Sequence, residues 1–268
     1  MVFEIHNLSI DEIKNLLNTS SGEQRAAIVE LLKNDTRSGV KKIVASHQSF
    51  IKRNRQIKED FLRLSIFESR IKEKGFRYIA GADEAGRGSL AGPLVAAAVI
   101  LPNEVFIPGL KDSKQLTIEQ REELYREIVK DAVAWSAEVV MPDWIDKNGL
   151  QRANLYALEQ AVNNLKVTPD YVLCDGFALK NLNIPNIAIV GGDRLCASVA
   201  AASIVAKVER DHLMVTYSKE YPEYGFEKHK GYGTKEHLTA LKERGPSYIH
   251  RRSFKPVAEC SQLTIGQY

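Results

Sequence analysis

The sequence predicts an α/β domain built on a sheet, preceded by a helical segment of about 75 residues. Three observations carry this. From Phe76 onward, apolar runs of strand length alternate with helical patterns. Before Phe76, apolar residues recur at helical spacing behind capping sequences. Three of the strand-like runs end in acids: Asp83 with Glu84, then Asp175, then Asp193. In open α/β sheets functional groups collect at the carboxyl ends of strands, so the third observation bears on function as well as fold.

With 268 residues, 44% hydrophobic and 26% charged, the chain has the composition of a globular protein with one sizeable core and room for a small second unit. No apolar run reaches membrane-spanning length, and MVFEIHNLSIDE lacks the basic and apolar regions of a secretory signal, so a cytoplasmic location without membrane contact is expected. Cys174, Cys196 and Cys260 include no CxxC and read as reduced thiols, the first two as core packing. A net charge of +3 is too small to argue nucleic-acid binding, but its distribution is uneven. From Arg37 to Lys58 there are seven basic residues and no acid; from Gly225 to Pro256 there are eight Lys or Arg against three Glu. Such faces either track a phosphate backbone or are simply solvated.

In chain order, Ser9 with Glu12 and Ser20 with Glu23 have capping-box spacing, ahead of the stripes Ile13, Leu16, Leu17 and Ile28, Leu31, Leu32. A third helix is expected to run to Lys74, with Ile57, Phe61, Leu64 and Ile71 on one face and Gly75 as its stop. Nothing here carries chemistry. Residues 1–75 read as an accessory nucleic-acid or positioning element, or as a purely structural one.

The stretch Tyr78 to Leu101, YIAGADEAGRGSLAGPLVAAAVIL, opens as a strand and closes as a buried one. Asp83 and Glu84 are expected where the first strand turns over, followed by Gly86, Arg87, Gly88 and Gly92. Desolvating carboxylates there costs several kcal/mol unless a cation compensates. Glycines permit a conformation or close approach that a Cβ forbids, and an arginine fork fits a phosphate, so the set suggests metal plus phosphate, with an acidic turn as the alternative. A dinucleotide loop needs glycines between strand and helix and an acid about 20 residues later; here the acids come first and a strand follows.

Thr117 and Gln120 box a helix to about Asp131; Ala132 to Val140 reads as a strand, Pro142 to Gly149 as a helical turn and Leu150 to Leu165 as a helix. Tyr171 to Cys174 is a short strand before Asp175-Gly176, and Ile187 to Val190 another before Gly191, Gly192 and Asp193. An alanine-rich helix from Leu195 to about Tyr221 is suited to lie close against a sheet. Singly, Asp175 is an ordinary turn residue and Asp193 a candidate helix cap. Jointly with Asp83 and Glu84 they make a four-carboxylate site, whose hard oxygens point to Mg²⁺ or Mn²⁺ rather than zinc.

From Tyr78 to Lys255 the chain resembles ribonuclease HII, the type 2 ribonuclease H of bacteria. ADEAGRGSLAGP, LKDSKQLT, LCDG, GGD, AAASIVAKVERD and HKGYGTKEH stand in family order and spacing. The sister family, ribonuclease HIII, typically differs at Gly86-Arg87-Gly88 and carries a sheet-containing N-terminal domain. The resemblance implies a ribonuclease H-like mixed five-stranded sheet flanked by helices, over residues 76–268, with a C-terminal helical segment contacting substrate. Asp83, Glu84, Asp175 and Asp193 match the family's metal ligands, for two divalent ions roughly 4 Å apart acting on a water and on the leaving 3′-oxygen. Gly86, Arg87 and Gly88 match the loop that senses the ribose 2′-OH, Tyr232 the tyrosine at the RNA-to-DNA junction and Lys114 a backbone-contacting lysine. His229, His237 and His250 are expected to contact phosphate or serve structure rather than catalysis. Lys207, Glu209, Arg210 and Asp211 are expected in helix-surface pairs or a buried network.

The implied activity is endonucleolytic cutting of RNA in RNA–DNA hybrids and 5′ to single ribonucleotides in duplex DNA, leaving 3′-hydroxyl and 5′-phosphate ends, with a monomer expected. Ribonucleotide removal from DNA is the implied biology. A different metal nuclease on the same fold and a catalytically silent nucleic-acid-binding module are the rivals; the presence of all four acids argues against the second.

Overall fold

The computed structural model describes residues 5–265 and divides into two compact units, one ending at Asp60 and one beginning at Phe61. In the first unit, α1 (Ile10–Thr19), α2 (Gly22–Leu31) and the start of α3 (Ser38–Leu64) enclose a small core of Ile13, Leu17, Val29, Leu32, Val40 and Val44. Ser9 and Glu12 close their capping box as expected, each satisfying the other's backbone N–H. The second box is shifted by one residue. Ser21 and Gln24 form it, while Ser20 ends α1 and donates its hydroxyl to the Leu16 carbonyl at 2.6 Å.

The third helix does not run unbroken to Lys74. It stops at Leu64, and α4 (Ile66–Lys72) resumes after Ser65. The Ser65 hydroxyl donates back to the Phe61 carbonyl and Ser69 donates to that of Ser65, a pattern that loosens a helix where it occurs. Phe61, Leu64 and Ile71 are nevertheless buried.

The second unit is built on five strands: β1 (Ile79–Ala85), β2 (Leu94–Ile100), β3 (Ala134–Val140), β4 (Tyr171–Asp175) and β5 (Asn186–Ile189), in the order β3-β2-β1-β4-β5. The hairpin β1–β2 and the pair β2–β3 are antiparallel; β1–β4 and β4–β5 are parallel. The sheet is therefore mixed, and β1 is its central strand. Helices α5 (Ile118–Asp131), α6 (Pro142–Asn148), α7 (Leu150–Asn163), α8 (Ala197–Glu220), α9 (Phe226–His229), α10 (Lys235–Arg244) and α11 (Lys255–Ile265) complete the unit.

Side-chain alternation along the strands separates two cores. Ala80 and Ala82 of β1, with Leu94, Ala96, Ala98 and Ile100 of β2, pack against Ala153, Ala157, Leu158 and Ala161 of α7. On the other face Ala85, Ala97 and Val99 meet α5 and the alanines of α8. That helix lies directly on the strand: a Cβ on Gly81 would stand 2.0 Å from the Ser198 backbone. Small residues at the contact allow this approach, as the alanine-rich sequence predicts. Asp193 does not cap α8. Its first turn is capped by Glu68 of α4, whose carboxylate accepts from Ser198 N at 2.8 Å and Ser198 Oγ at 2.7 Å. Cys174 and Cys196 are fully buried, and burial pushes both thiols up, as core cysteines require.

Candidate active site

Asp83 and Glu84 lie inside β1 rather than in the turn after it. Alternation sends them to opposite faces: Asp83 shares the α8 side with Ala85, and Glu84 the α7 side with Ala82. The parallel register aligns Ala82 with Cys174, so one step further Asp83 comes beside Asp175 at the end of β4. Asp175 Oδ1 accepts from Gly192 N at 2.7 Å, which ties it to the 3₁₀ turn Gly192–Arg194 that follows β5 and carries Asp193. Carboxylates from three adjacent strand ends thus face one region.

Their electrostatics show the crowding. Asp83, 5% exposed, is held well above the usual carboxylate range by burial and then by Glu84 and Asp175. Burial raises Glu84 to about 6, against the pull of Asn154 and Arg87. Burial and then Asp112 raise Asp193. Burial opposes the Lys114 ammonium, but Asp193, Asp112 and Asp83 outweigh it and raise its pKa; Lys114 Nζ stands 3.6 Å from Asp193 Oδ2.

Among the described residues, no three Asp, Glu, His or Cys side chains are already gathered as a metal ion needs them, so ligation requires the carboxylates to close in. The donor set fits a hard divalent cation: the groups are carboxylates, they repel one another, and Glu84 Oε2 is buried without a hydrogen-bond partner.

The three loop glycines have different reasons. Gly86 sits at φ +87°, and a Cβ there would lie 1.9 Å from Arg210 Nε; Gly92, at φ +86°, is equally tight against Met214. Gly88 is exposed, has no positive φ and has nothing within 4 Å of its missing Cβ. The fold therefore requires the first and third but not Gly88, contrary to a uniform reading of the loop. Arg87 lies over the Phe177 ring at 4.8 Å and donates to Gln151 Oε1 at 3.1 Å, while its Nε is buried with no partner.

Behind the loop stand two fully buried arginines. Arg210 donates to the carbonyls of Pro93, Lys230 and Ala91, and Arg251 to those of Gly92 and Arg87. Backbone carbonyl dipoles serve as their counter-charge and fix the loop. Arg210 thus belongs to a buried network, whereas Lys207 pairs with Asp211 at 2.7 Å and Glu209 accepts from the Tyr125 hydroxyl at 2.5 Å. Leu90 N donates to Gly231 O at 2.8 Å, which places Tyr232 beside the glycine loop. The Tyr232 ring is 37% exposed and lies 5.3 Å from the Arg210 guanidinium and 5.5 Å from Lys207 Nζ.

Sequence reasoning missed Asn154, Gln151, Phe177, Asp112 and Arg251. Asn154 had a signal, since it interrupts the apolar stripe of α7 four residues before Leu158; it is fully buried beside Glu84, whose pKa it pulls down against burial. Arg251 had none, because nothing in an Arg-Arg pair says which side chain turns inward.

The fold and the strand-end acids together define a ribonuclease H-type architecture, and known structures share it. Ribonuclease H2 from Pyrococcus horikoshii matches with a TM-score of 0.61 and 27% identity, covering 69% of this chain and 98% of that one. A ribonuclease HIII crystallised with Mn²⁺ matches with a TM-score of 0.52 at 19% identity, over 71% of this chain and 70% of that one, a likeness of fold alone. The ribonuclease HII of Bacillus cereus is 43% identical over 258 residues, 96% of this chain and 100% of the relative. The ribonuclease HII family model matches residues 80–257, and the model of the ribonuclease HII N-terminal domain matches residues 9–72. The chain belongs to the ribonuclease HII family. It is accordingly a ribonuclease H enzyme, an endoribonuclease acting on RNA–DNA hybrids. The N-terminal helices, outside the pattern that carried the resemblance, are themselves a family element.

Proposed function

We propose that the chain cuts RNA in RNA–DNA hybrids and on the 5′ side of single ribonucleotides embedded in duplex DNA, leaving 3′-hydroxyl and 5′-phosphate ends, and so removes ribonucleotides from DNA. The observation that supports this most is the placing of Asp83, Glu84, Asp175 and Asp193 at one end of the sheet, close enough for Glu84 and Asp175 to act on Asp83, beside the glycine loop and a partly exposed tyrosine. In this reading the four carboxylates hold Mg²⁺ or Mn²⁺, two ions with substrate. Held there, the metal would supply activation of a water for in-line attack on phosphorus and stabilisation of the leaving 3′-oxygen.

The chain's own residues do the selecting. Arg87, braced by Phe177 and Gln151, presents donors to the scissile phosphate, and the open space over Gly88 admits the ribose 2′-OH against backbone. Tyr232 packs against the sugar at the RNA-to-DNA junction, and Lys114 contacts the backbone beside Asp193. Residues 1–75 act as a positioning element for nucleic acid. Within them Arg37 is occupied by Asp35 and Arg55 by Glu59, while Lys41, Lys42, Lys52 and Arg53 lie exposed along α3, a face that suits a phosphate backbone. No helix among the described residues is long and apolar enough to cross a membrane; we place the protein in the cytoplasm, as a monomer.

The test compares three labelled duplexes with Mg²⁺ or Mn²⁺: a uniform hybrid, a DNA duplex with one ribonucleotide and an all-DNA control. Cutting of the first two, with the second cut 5′ to its ribonucleotide, is expected. Cutting of the all-DNA control would mark a general nuclease and remove the 2′-OH sensor.

A further inference from the structure

Two of the three histidines of the basic C-terminal region, His237 and His250, form a hydrogen-bonded relay behind Tyr232, and the third, His229, stacks on it. His237 and His250 are fully buried, with their Nε2 atoms 3.0 Å apart. Their other partners fix the tautomers. Ser247 N donates to His250 Nδ1 at 2.9 Å, so the His250 proton is on Nε2. The Tyr232 carbonyl lies 2.9 Å from His237 Nδ1 and can only accept, so the His237 proton is on Nδ1 and its Nε2 receives the proton of His250. His229 stacks on His237 with ring centroids 4.5 Å apart; its Nδ1 accepts from Gly231 N at 3.2 Å and its Nε2 donates to Tyr224 O at 2.8 Å. Every link runs one way and both ends reach backbone. Burial holds His237 and His250 well below the ordinary histidine range, so both are neutral, as this chain requires.

The segment so gripped is Gly231-Tyr232-Gly233. A Cβ on Gly231 would meet Ala91 O at 2.2 Å, and Gly231 O accepts from Leu90 N, so the segment rests on the glycine loop on one side and on the histidines on the other. We infer that the neutral relay Ser247–His250–His237 is a positioning device for Tyr232, setting the tyrosine's backbone so that its ring meets substrate in one place. This makes His237 and His250 specificity-determining residues of the reaction without contact with substrate. The inference rests on the proposed reading of Tyr232 as the junction sensor.

The test is a double-mutant cycle on the full chain, with kcat/KM measured on the single-ribonucleotide duplex and on the uniform hybrid, and with amide exchange followed over residues 229–234. His237→Asn keeps a donor at the Nδ1 place, and His237→Gln keeps an acceptor near Nε2 but loses that donor. Loss of one hydrogen bond is expected to lower kcat/KM of His237→Gln on the single-ribonucleotide duplex roughly threefold to tenfold, with faster exchange at 229–234. The uniform hybrid should be less affected, and His237→Asn should stay near the parent. In a Tyr232→Ala background His237→Gln should change nothing further. If His237→Gln does not fold, His250→Gln, which keeps the donor to His237, and His250→Asn, which loses it, give the same comparison. The inference is overturned if exchange at 229–234 is unmoved by loss of the donor, or if the full penalty persists without Tyr232. Faster exchange together with an inert Tyr232→Ala leaves the relay as the clamp on this segment and instead removes the junction-sensor reading.

Discussion

Substitution of Gly86 by alanine tests whether the glycine loop is held from inside the protein. The new Cβ would lie 1.9 Å from Arg210 Nε and 2.4 Å from its Cδ, so the guanidinium must retreat by roughly 1.5 Å to reach ordinary contact near 3.4 Å. That retreat gives up the bond from Nε to Pro93 O, now 2.9 Å, a charged donor worth about 1.5–3 kcal/mol. An L-residue at φ +87° adds about 1–2 kcal/mol of backbone strain. Together the loss is roughly 3–5 kcal/mol, or on the order of 10 °C in Tm for a unit of this size. Gly88→Ala is the control. With open space and ordinary φ it should stay within about 0.5 kcal/mol of the parent, yet lose cleavage if backbone at Gly88 must approach the ribose. Urea unfolding followed by circular dichroism measures both. A Gly86→Ala protein within about 1 kcal/mol of the parent would refute the role given to Arg210.

Three further outcomes follow from the same geometry. Asp83→Asn should abolish cleavage but raise the Tm of the metal-free protein, because it removes a buried charge repelled by Glu84 and Asp175; Mn²⁺ should raise the Tm of the parent more than that of the variant, by calorimetry. The histidine pair should cost stability in acid. Burial lowers His237 to about 4 and His250 to about 3 from an ordinary 6.5, so on acidification the unfolded chain takes protons first and stability falls as pH drops from about 6.5 towards 4. At pH 5 each contributes a loss of up to about 2 kcal/mol, and His250→Gln should show a correspondingly shallower decline than the parent between pH 7 and 5; identical slopes would contradict this. Ser21→Ala should destabilise the N-terminal unit by about 1 kcal/mol through its lost cap, whereas Ser20→Ala should cost only a few tenths, which thermal melts of the two variants would resolve.

The strands were legible because each is a short apolar run bounded by turn residues, and the acids because three such runs end the same way. The alanine-rich composition also read α8 correctly as a helix pressed on the sheet. It could not read faces across the sheet. That Asp83 and Glu84 lie inside β1 and look to opposite sides depends on where the strand stops, and adjacent acids with glycines beyond suggest a turn. Ser20 and Ser21 offer equivalent capping spacings, so the spacing alone does not choose between them. The break at Ser65 arises from hydroxyl back-bonding within an otherwise continuous helical pattern. Least legible were buried cations and polar groups. Arg251 reads as part of a basic stretch, His237 and His250 as either phosphate contacts or structure, and Arg210 as either a surface pair or a buried network; all four are buried against carbonyls or each other, a choice that the tertiary packing of the loops makes.

The central claim is that the strand-end carboxylates hold the metal used to cut beside a ribonucleotide. Its most direct test is the initial rate on a DNA duplex with one ribonucleotide, in Mg²⁺ or Mn²⁺ and in chelator, for the parent and for Asp83→Asn, Asp175→Asn and Asp193→Asn. The parent should cut 5′ to the ribonucleotide only with metal, and Asp83→Asn, Asp175→Asn and Asp193→Asn should each lose about a hundredfold or more. Cutting that persists in chelator, or variants that cut at the parent's rate, would contradict it.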